Sequence, residues 1–232
     1  PAAVRLEELI NYFHSEDPQP TDGVPFSVNC EVGACPWQVD HQLVRIGLKG
    51  REITREQRPA TNLVFLVDVS GSMAADNKLP LVKASLQLLT EELDESDRIA
   101  IVTYAGTSGV LLDSITGDHR QTIMNAIGSL QSGGSTNGAS GIQLAYTTAV
   151  NHFIEGGSNR VILCTDGDFN VGVTNDDQLV EMIQSKAKTG VFLSVFGFGM
   201  GNLKDGKLEK LADKGNGHYG YIDSLRGAQK AF

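Results

Sequence analysis

Four stretches of this chain are apolar almost without a break: "LVFLV" (63–67), "RIAIVTYA" (98–105), "RVILCT" (160–165) and "VFLSVFGFG" (191–199). A strand with one wet face alternates apolar and polar residues, so a run without alternation has to hide both faces. That requirement restricts the chain to folds in which a mostly parallel sheet lies between two layers of helices.

The intervening text supplies the helices. Leu79, Val82, Leu86, Leu89 and Leu93 recur at spacings of three and four, which puts them on one helical face. Ile123, Ile127 and Leu130 do the same, as do Ile142, Ala145, Ala149 and Phe153, and Leu179, Ile183 and Ala187. Leu203, Leu208 and Leu211 form a weaker stripe. "GVLLD" (109–113) follows the second apolar run too closely for a helical crossover, which predicts an antiparallel edge strand. "HYGYI" (218–222) closes the series. Residues 61–232 are therefore expected to form a doubly wound α/β domain with right-handed crossovers and helices on both faces.

Residues 1–60 follow another rule. Leu6, Leu9, Ile10 and Phe13 suggest a short amphipathic helix, and "DPQPTDGVP" (17–25) reads as a turn-rich connector. Beyond it, Phe26, Val28, Cys30 and Val32 alternate with polar residues, and so do Val44, Ile46 and Leu48. Period two implies half-buried, antiparallel strands in a small β-rich appendage. Trp37, beside Pro36, is expected to anchor its packing, and "REITREQRP" (51–59) to link it to the α/β domain.

Composition removes several functions. The net charge is −9 with no cluster of lysines or arginines, which argues against nucleic acid and against docking on anionic lipid. No apolar run approaches the roughly 20 residues of a membrane span. The chain opens on Pro1 and ends on "SLRGAQKAF", which reads as a helix cut short, as in a trimmed fragment. Of the three cysteines, Cys164 lies inside an apolar run and is expected to be an inert buried thiol. Cys30 and Cys35 can pair in an oxidising compartment, yet fit neither a disulfide framework nor a zinc pattern. The five histidines are scattered and support no histidine metal site or triad.

The first strand ends unusually, in "FLVDVSGSM" (65–73). In open α/β sheets, ligands bind beyond the carboxyl ends of the strands, where the strand order reverses. Asp68 ends the first strand, and Asp166, in "CTDGDFN", ends the strand after the edge piece and the two middle helices. If the chain winds out from the first strand and returns to its other side, both aspartates sit at the switch point. Extended alternation would turn Asp68, Ser70 and Ser72 to one side. Two carboxylates and two hydroxyls form a hard oxygen site that suits Mg²⁺, with Mn²⁺ or Ca²⁺ as alternatives, over zinc or copper. The Gly-rich "GGSTNGASG" (133–141) offers further hydroxyls in Ser135 and Thr136. Taken singly, each residue also suits a helix cap or turn, and Asp168 suits a solvated loop.

The three motifs together, Asp68-Val-Ser70-Gly-Ser72, Thr136 in "GGST" and Asp166 in "TDG", resemble the metal-ion-dependent adhesion site of von Willebrand factor type A domains. The resemblance covers about residues 61–232. The first 60 residues, with "CPW" and "LVRIGLKGRE", look like a bacterial branch with β-rich flanking segments in exported or envelope-anchored proteins. It implies that Ser70, Ser72 and Thr136 ligate the metal directly, and that Asp68 and Asp166 act mainly through water. It also implies a partner protein that offers an Asp or Glu carboxylate, no catalysis, and a place in the envelope or periplasm.

Other readings stay open. Some domains of this type serve inside the cell as subunits of machines driven by ring ATPases. "DGD" (166–168) also resembles the D-x-D of Mg²⁺-dependent phosphatases. Such enzymes need a threonine or valine where Asn170 stands and a lysine to hold phosphate, which the sequence does not point out. No G-x-S-x-G elbow accompanies the serines. "FGFGMGN" (196–202) departs from the dinucleotide fingerprint and reads as a close-packed turn.

Overall fold

The structure is a computed structural model that describes residue 10 and residues 15–54, 57–135, 138–167, 169, 176–199 and 205–231. It divides into two compact units, Pro1–Arg58 and Pro59–Phe232.

The larger unit is built on a six-stranded sheet. Its strands are β3 (Thr61–Asp68), β4 (Arg98–Tyr104), β5 (Ser108–Thr116), β6 (Ser158–Thr165), β7 (Val191–Phe198) and β8 (Asn216–Ile222). Their spatial order is β5-β4-β3-β6-β7-β8. All neighbours run parallel except β5, which pairs antiparallel to β4 at the edge, as the short connection requires. The chain winds outward from β3 through β4 to β5 and then returns to the far side of β3. The strand order thus reverses between β3 and β6.

Among the described residues six helices cover the sheet: α1 (Leu79–Glu92), α2 (Arg120–Ser129), α3 (Gly138–Asn151), α4 (Asp176–Ala187), α5 (Asp205–Lys214) and α6 (Leu225–Ala231). Strand alternation assigns them to faces. Leu63, Phe65 and Val67 of β3 join one core with Leu79, Val82 and Leu86 of α1, Ile123 and Ile127 of α2, and Ala228 of α6. Val64 and Leu66 join the opposite core with Ile142 and Ala145 of α3, Ile183 of α4 and Leu208 of α5. The helical stripes read from the sequence are the buried faces, with two departures. Leu89 is only partly buried, and Phe153 lies past the end of α3 and is 43% exposed. Leu203 lies outside the described residues.

The smaller unit contains β1 (Phe26–Ala34) and β2 (Gln42–Gly50), an antiparallel pair in the register Val28↔Leu48, Cys30↔Ile46 and Val32↔Val44. That register gathers every alternating apolar residue on one face. The expectation that this face is half-buried fails: Val28, Ile46 and Leu48 are 53, 65 and 69% exposed. A two-stranded sheet has no second layer of its own to cover it. The opposite face is tied down by Asp17, whose carboxylate accepts two hydrogen bonds from the Arg45 guanidinium at 3.0 and 2.6 Å. Ser27 Oγ also donates to the Pro18 carbonyl at 2.7 Å. Trp37 is 74% exposed and anchors no packing, because it sits in the connection between β1 and β2. Cys30 is exposed, Cys35 buried, and both are free thiols. Of the N-terminal helical stripe, Leu6, Leu9 and Phe13 lie outside the described residues.

Candidate metal centre at the sheet's switch point

β3 and β6 pair in parallel with Val67 opposite Cys164, so Asp68 and Thr165 end the two strands side by side and Asp166 follows at once. Both carboxylates therefore reach the carboxyl edge of the sheet at the reversal of strand order, where α/β folds bind ligands. Both are buried, Asp68 completely.

Asp68 is held from several directions. Its Oδ1 accepts the Ser70 backbone N–H at 2.9 Å. Its Oδ2 accepts the hydroxyls of Tyr104 at 3.0 Å and Thr165 at 3.2 Å. Burial pushes its pKa above the ordinary aspartate value of 3.8. Hydrogen bonds from Ser70 and Tyr104 pull the other way, and the nearby Asp166 charge adds to the rise. Burial and the Asp68 charge push the Tyr104 phenol well above 10.0, so it stays a donor.

The two serines converge, though not by the geometry that alternation predicts. Ser70 keeps an extended backbone at φ −63° and ψ 164°, but Gly71–Ala74 coils into a 3₁₀ turn. Met73, buried in the core, fixes this turn. The turn brings Ser72 Oγ to 3.1 Å from Ser70 Oγ. The hydroxyls meet because the chain curls, whereas strand alternation ends at Asp68.

The Gly-rich segment is laced to the same turn. Gly71 N–H donates to the Gly134 carbonyl at 3.1 Å, and Gly133 N–H to the Val69 carbonyl at 2.7 Å. Gly134 has φ +82°, a conformation that side chains disfavour, which explains a glycine here. Thr136 and Asp168 lie outside the described residues, and Ser135 is exposed.

Sequence reasoning missed Lys78. Its ammonium donates to Asp166 Oδ2 at 2.8 Å and to the Ser72 carbonyl at 3.0 Å. A signal was available. Lys78 is the N-cap of α1, where the helix dipole disfavours a positive charge, and the first turn of α1 holds no acidic residue. Such a lysine draws no help from its own helix, and the structure places its acceptors elsewhere in the chain. Tyr104 and Thr165 were also missed. Both are polar ends of apolar runs flanking Asp68, a signal visible only once the strand order is known.

The donor set fits a hard divalent cation. It consists of two adjacent hydroxyls and two buried carboxylates, all oxygen. No group of three or more His, Cys, Asp or Glu side chains able to hold a metal occurs among the described residues. The place already attracts positive charge, since it holds the Lys78 ammonium.

Fold and site together define a class, the von Willebrand factor type A domain. A family profile of that description matches residues 62–232, and one described as von Willebrand factor matches residues 1–45. The chain belongs to this family. It is 46% identical over 237 residues to the uncharacterized protein YfbK of Escherichia coli K12, covering 99% of this chain. That alignment spans only 41% of the length of YfbK. Among solved structures, the conserved hypothetical protein BatB of Bacteroides thetaiotaomicron superposes with a TM-score of 0.63 at 24% identity, covering 74% of this chain and 95% of BatB. Proximal thread matrix protein 1 of the mussel byssus, in a form with a zinc-occupied MIDAS motif, superposes with a TM-score of 0.57 at 22% identity. The overlap is 75% of this chain and 44% of that one. At these identities the two structures establish the fold alone.

Proposed function

We propose that this chain is a divalent-metal-dependent protein-binding module with Mg²⁺ as the preferred ion and Mn²⁺ or Ca²⁺ as substitutes. The observation that carries the reading is the pair of serine hydroxyls 3.1 Å apart beside two buried carboxylates at the switch point. Ser70 and Ser72 supply neutral oxygens, and Thr136 is assigned a third from the loop that Gly133 and Gly134 tie to the same turn. Asp68 and Asp166 supply negative charge from just behind. The bound ion would contribute an electrophilic coordination position for an Asp or Glu carboxylate of a partner protein. Neutral hydroxyls suit that task because they hold a cation without cancelling its charge.

The module is assigned residues 61–232, with 1–60 as a β-rich appendage. We place the protein at the cell envelope or periplasm, the setting that the resemblance of its first 60 residues to exported or envelope-anchored bacterial proteins implies. No described helix is long and apolar enough to cross a membrane.

The test is a Mn²⁺ titration followed by electron paramagnetic resonance, carried to millimolar metal. Saturable binding by the wild type that is lost in Asp68→Ala, with the circular dichroism unchanged, supports the reading. Identical curves for the two proteins overturn it. One observation favours a second reading, since a lysine beside Asp166 is what a Mg²⁺-dependent phosphatase needs. An assay with p-nitrophenyl phosphate and Mg²⁺ separates the two, and no turnover is expected.

A further inference from the structure

We infer that Lys78 determines the affinity and charge selectivity of the metal centre, as a built-in monovalent cation that a divalent ion has to displace from Asp166. The inference rests on the metal-binding reading above. Three observations on separate elements carry it. The ammonium sits within the donor set itself, on Asp166 Oδ2 at 2.8 Å and on the carbonyl of Ser72 at 3.0 Å. The pair is enclosed, the lysine side chain being 21% and the aspartate 4% exposed. The lysine stem lies over Gly199, at the end of β7, where an added Cβ would stand 2.8 Å from both Cε and Cγ of Lys78. That glycine leaves room for the stem to pass from the start of α1 to the carboxyl edge of the sheet.

The chemistry follows from charge. Asp68 and Asp166 place two carboxylates in one buried site, and the ammonium neutralises one of them. It has no acid in the first turn of its own helix to pair with, so Asp166 is its counter-ion. A second monovalent cation would gain nothing over the lysine already seated there. A divalent ion balances both carboxylates and repels the ammonium, so its binding and the release of Lys78 are one event. The site thus discriminates by charge, and part of the metal's binding energy goes into breaking the Lys78–Asp166 pair. Breaking it also frees the ammonium from the Ser72 carbonyl, on the turn that carries the metal's hydroxyl ligands.

The experiment compares Mn²⁺ affinity by electron paramagnetic resonance in wild type, Lys78→Met and Lys78→Arg. Methionine keeps the stem and removes the charge. It should bind Mn²⁺ about tenfold more tightly or better, the fold-change of one charge-assisted hydrogen bond that no longer has to be broken. Arginine keeps the charge and should stay near wild type. Lysine acylation read by mass spectrometry gives a readout independent of affinity: Lys78 should label slowly in chelator and faster at saturating Mg²⁺. Unchanged or weaker Mn²⁺ binding by Lys78→Met, or Lys78 labelling indifferent to Mg²⁺, overturns the inference. If Lys78→Met does not fold, the wild-type labelling decides alone. Saturable wild-type binding that Asp68→Ala abolishes leaves the metal reading standing whichever way Lys78 behaves. Failure of both folded wild type and Lys78→Met to take up Mn²⁺ removes the metal reading, and this inference with it.

Discussion

β1 and β3 lie one strand apart in sequence and in opposite physical circumstances. β3 is apolar without a break from Leu63 to Val67 and is buried on both faces, with helices supplying a layer above and below. β1 alternates cleanly, yet its apolar side, paired with that of β2, faces solvent. Alternation tells which residues share a face. Whether that face is covered depends on a second layer, which the hairpin does not contain among its described residues. The two carboxylates that matter in the two units diverge in the same way. The Arg45 guanidinium lowers the pKa of Asp17, whereas burial raises that of Asp68.

The comparison breaks most visibly under truncation. Phe65→Ala should cost about 3–5 kcal/mol, the usual penalty for emptying an aromatic site in a core, and should unfold the larger unit well below the wild-type temperature. Ile46→Ser, on the open hairpin face, should change stability by no more than about 0.5 kcal/mol, as exposed substitutions do. Thermal melts of both variants, followed by circular dichroism, measure the contrast. A costly Ile46→Ser would mean that something covers that face in solution.

Thiol labelling probes the same division without mutation. Cys30 should react with a chromogenic disulfide at once, Cys35 slowly, and Cys164 only on unfolding, because burial hides that thiol and pushes its pKa up. Prompt labelling of Cys164 in native buffer would show that the sheet opens far more often than its packing implies.

Tyr104→Phe removes one of the two hydroxyls that hold Asp68 Oδ2. It should cost about 1–3 kcal/mol of stability through the loss of a buried bond to a charged group and should weaken Mn²⁺ binding severalfold with the fold intact. Unaltered Mn²⁺ affinity would mean that the orientation of Asp68 does not depend on this bond.

The smallest effect is in acid. Asp17 has a folded value below 3.8, so its ion pair stabilises the hairpin above that pH and is lost as pH falls through the folded value. Asp68 has the opposite sign. In chelator its folded value lies above 3.8, so its contribution is most favourable below 3.8 and falls as pH rises through the folded value. Carboxyl carbon shifts in an NMR titration should place the Asp17 midpoint below and the Asp68 midpoint above the ordinary value. Equal midpoints would remove the contrast.

Much of this was legible in the sequence. Unbroken apolar runs can only be strands buried on both sides, so the α/β architecture, the antiparallel edge strand and most helix faces follow from residue order alone. Residue order put Asp68 and Asp166 at strand ends, and the observed strand order, in which the chain winds out from β3 and returns beside it, makes those ends adjacent. What residue order could not supply was contact between distant segments. The serine hydroxyls meet through a 3₁₀ turn pinned by buried Met73, whose depth no local pattern reveals. Lys78 reaches Asp166 across 88 positions of chain, and only the packing of α1 against the end of the sheet makes them partners. The hairpin's alternation promised a buried face that no described layer covers. Local periodicity fixes which way a side chain points. Only the assembled tertiary structure decides what it meets there, because burial and ion pairing belong to two surfaces rather than one.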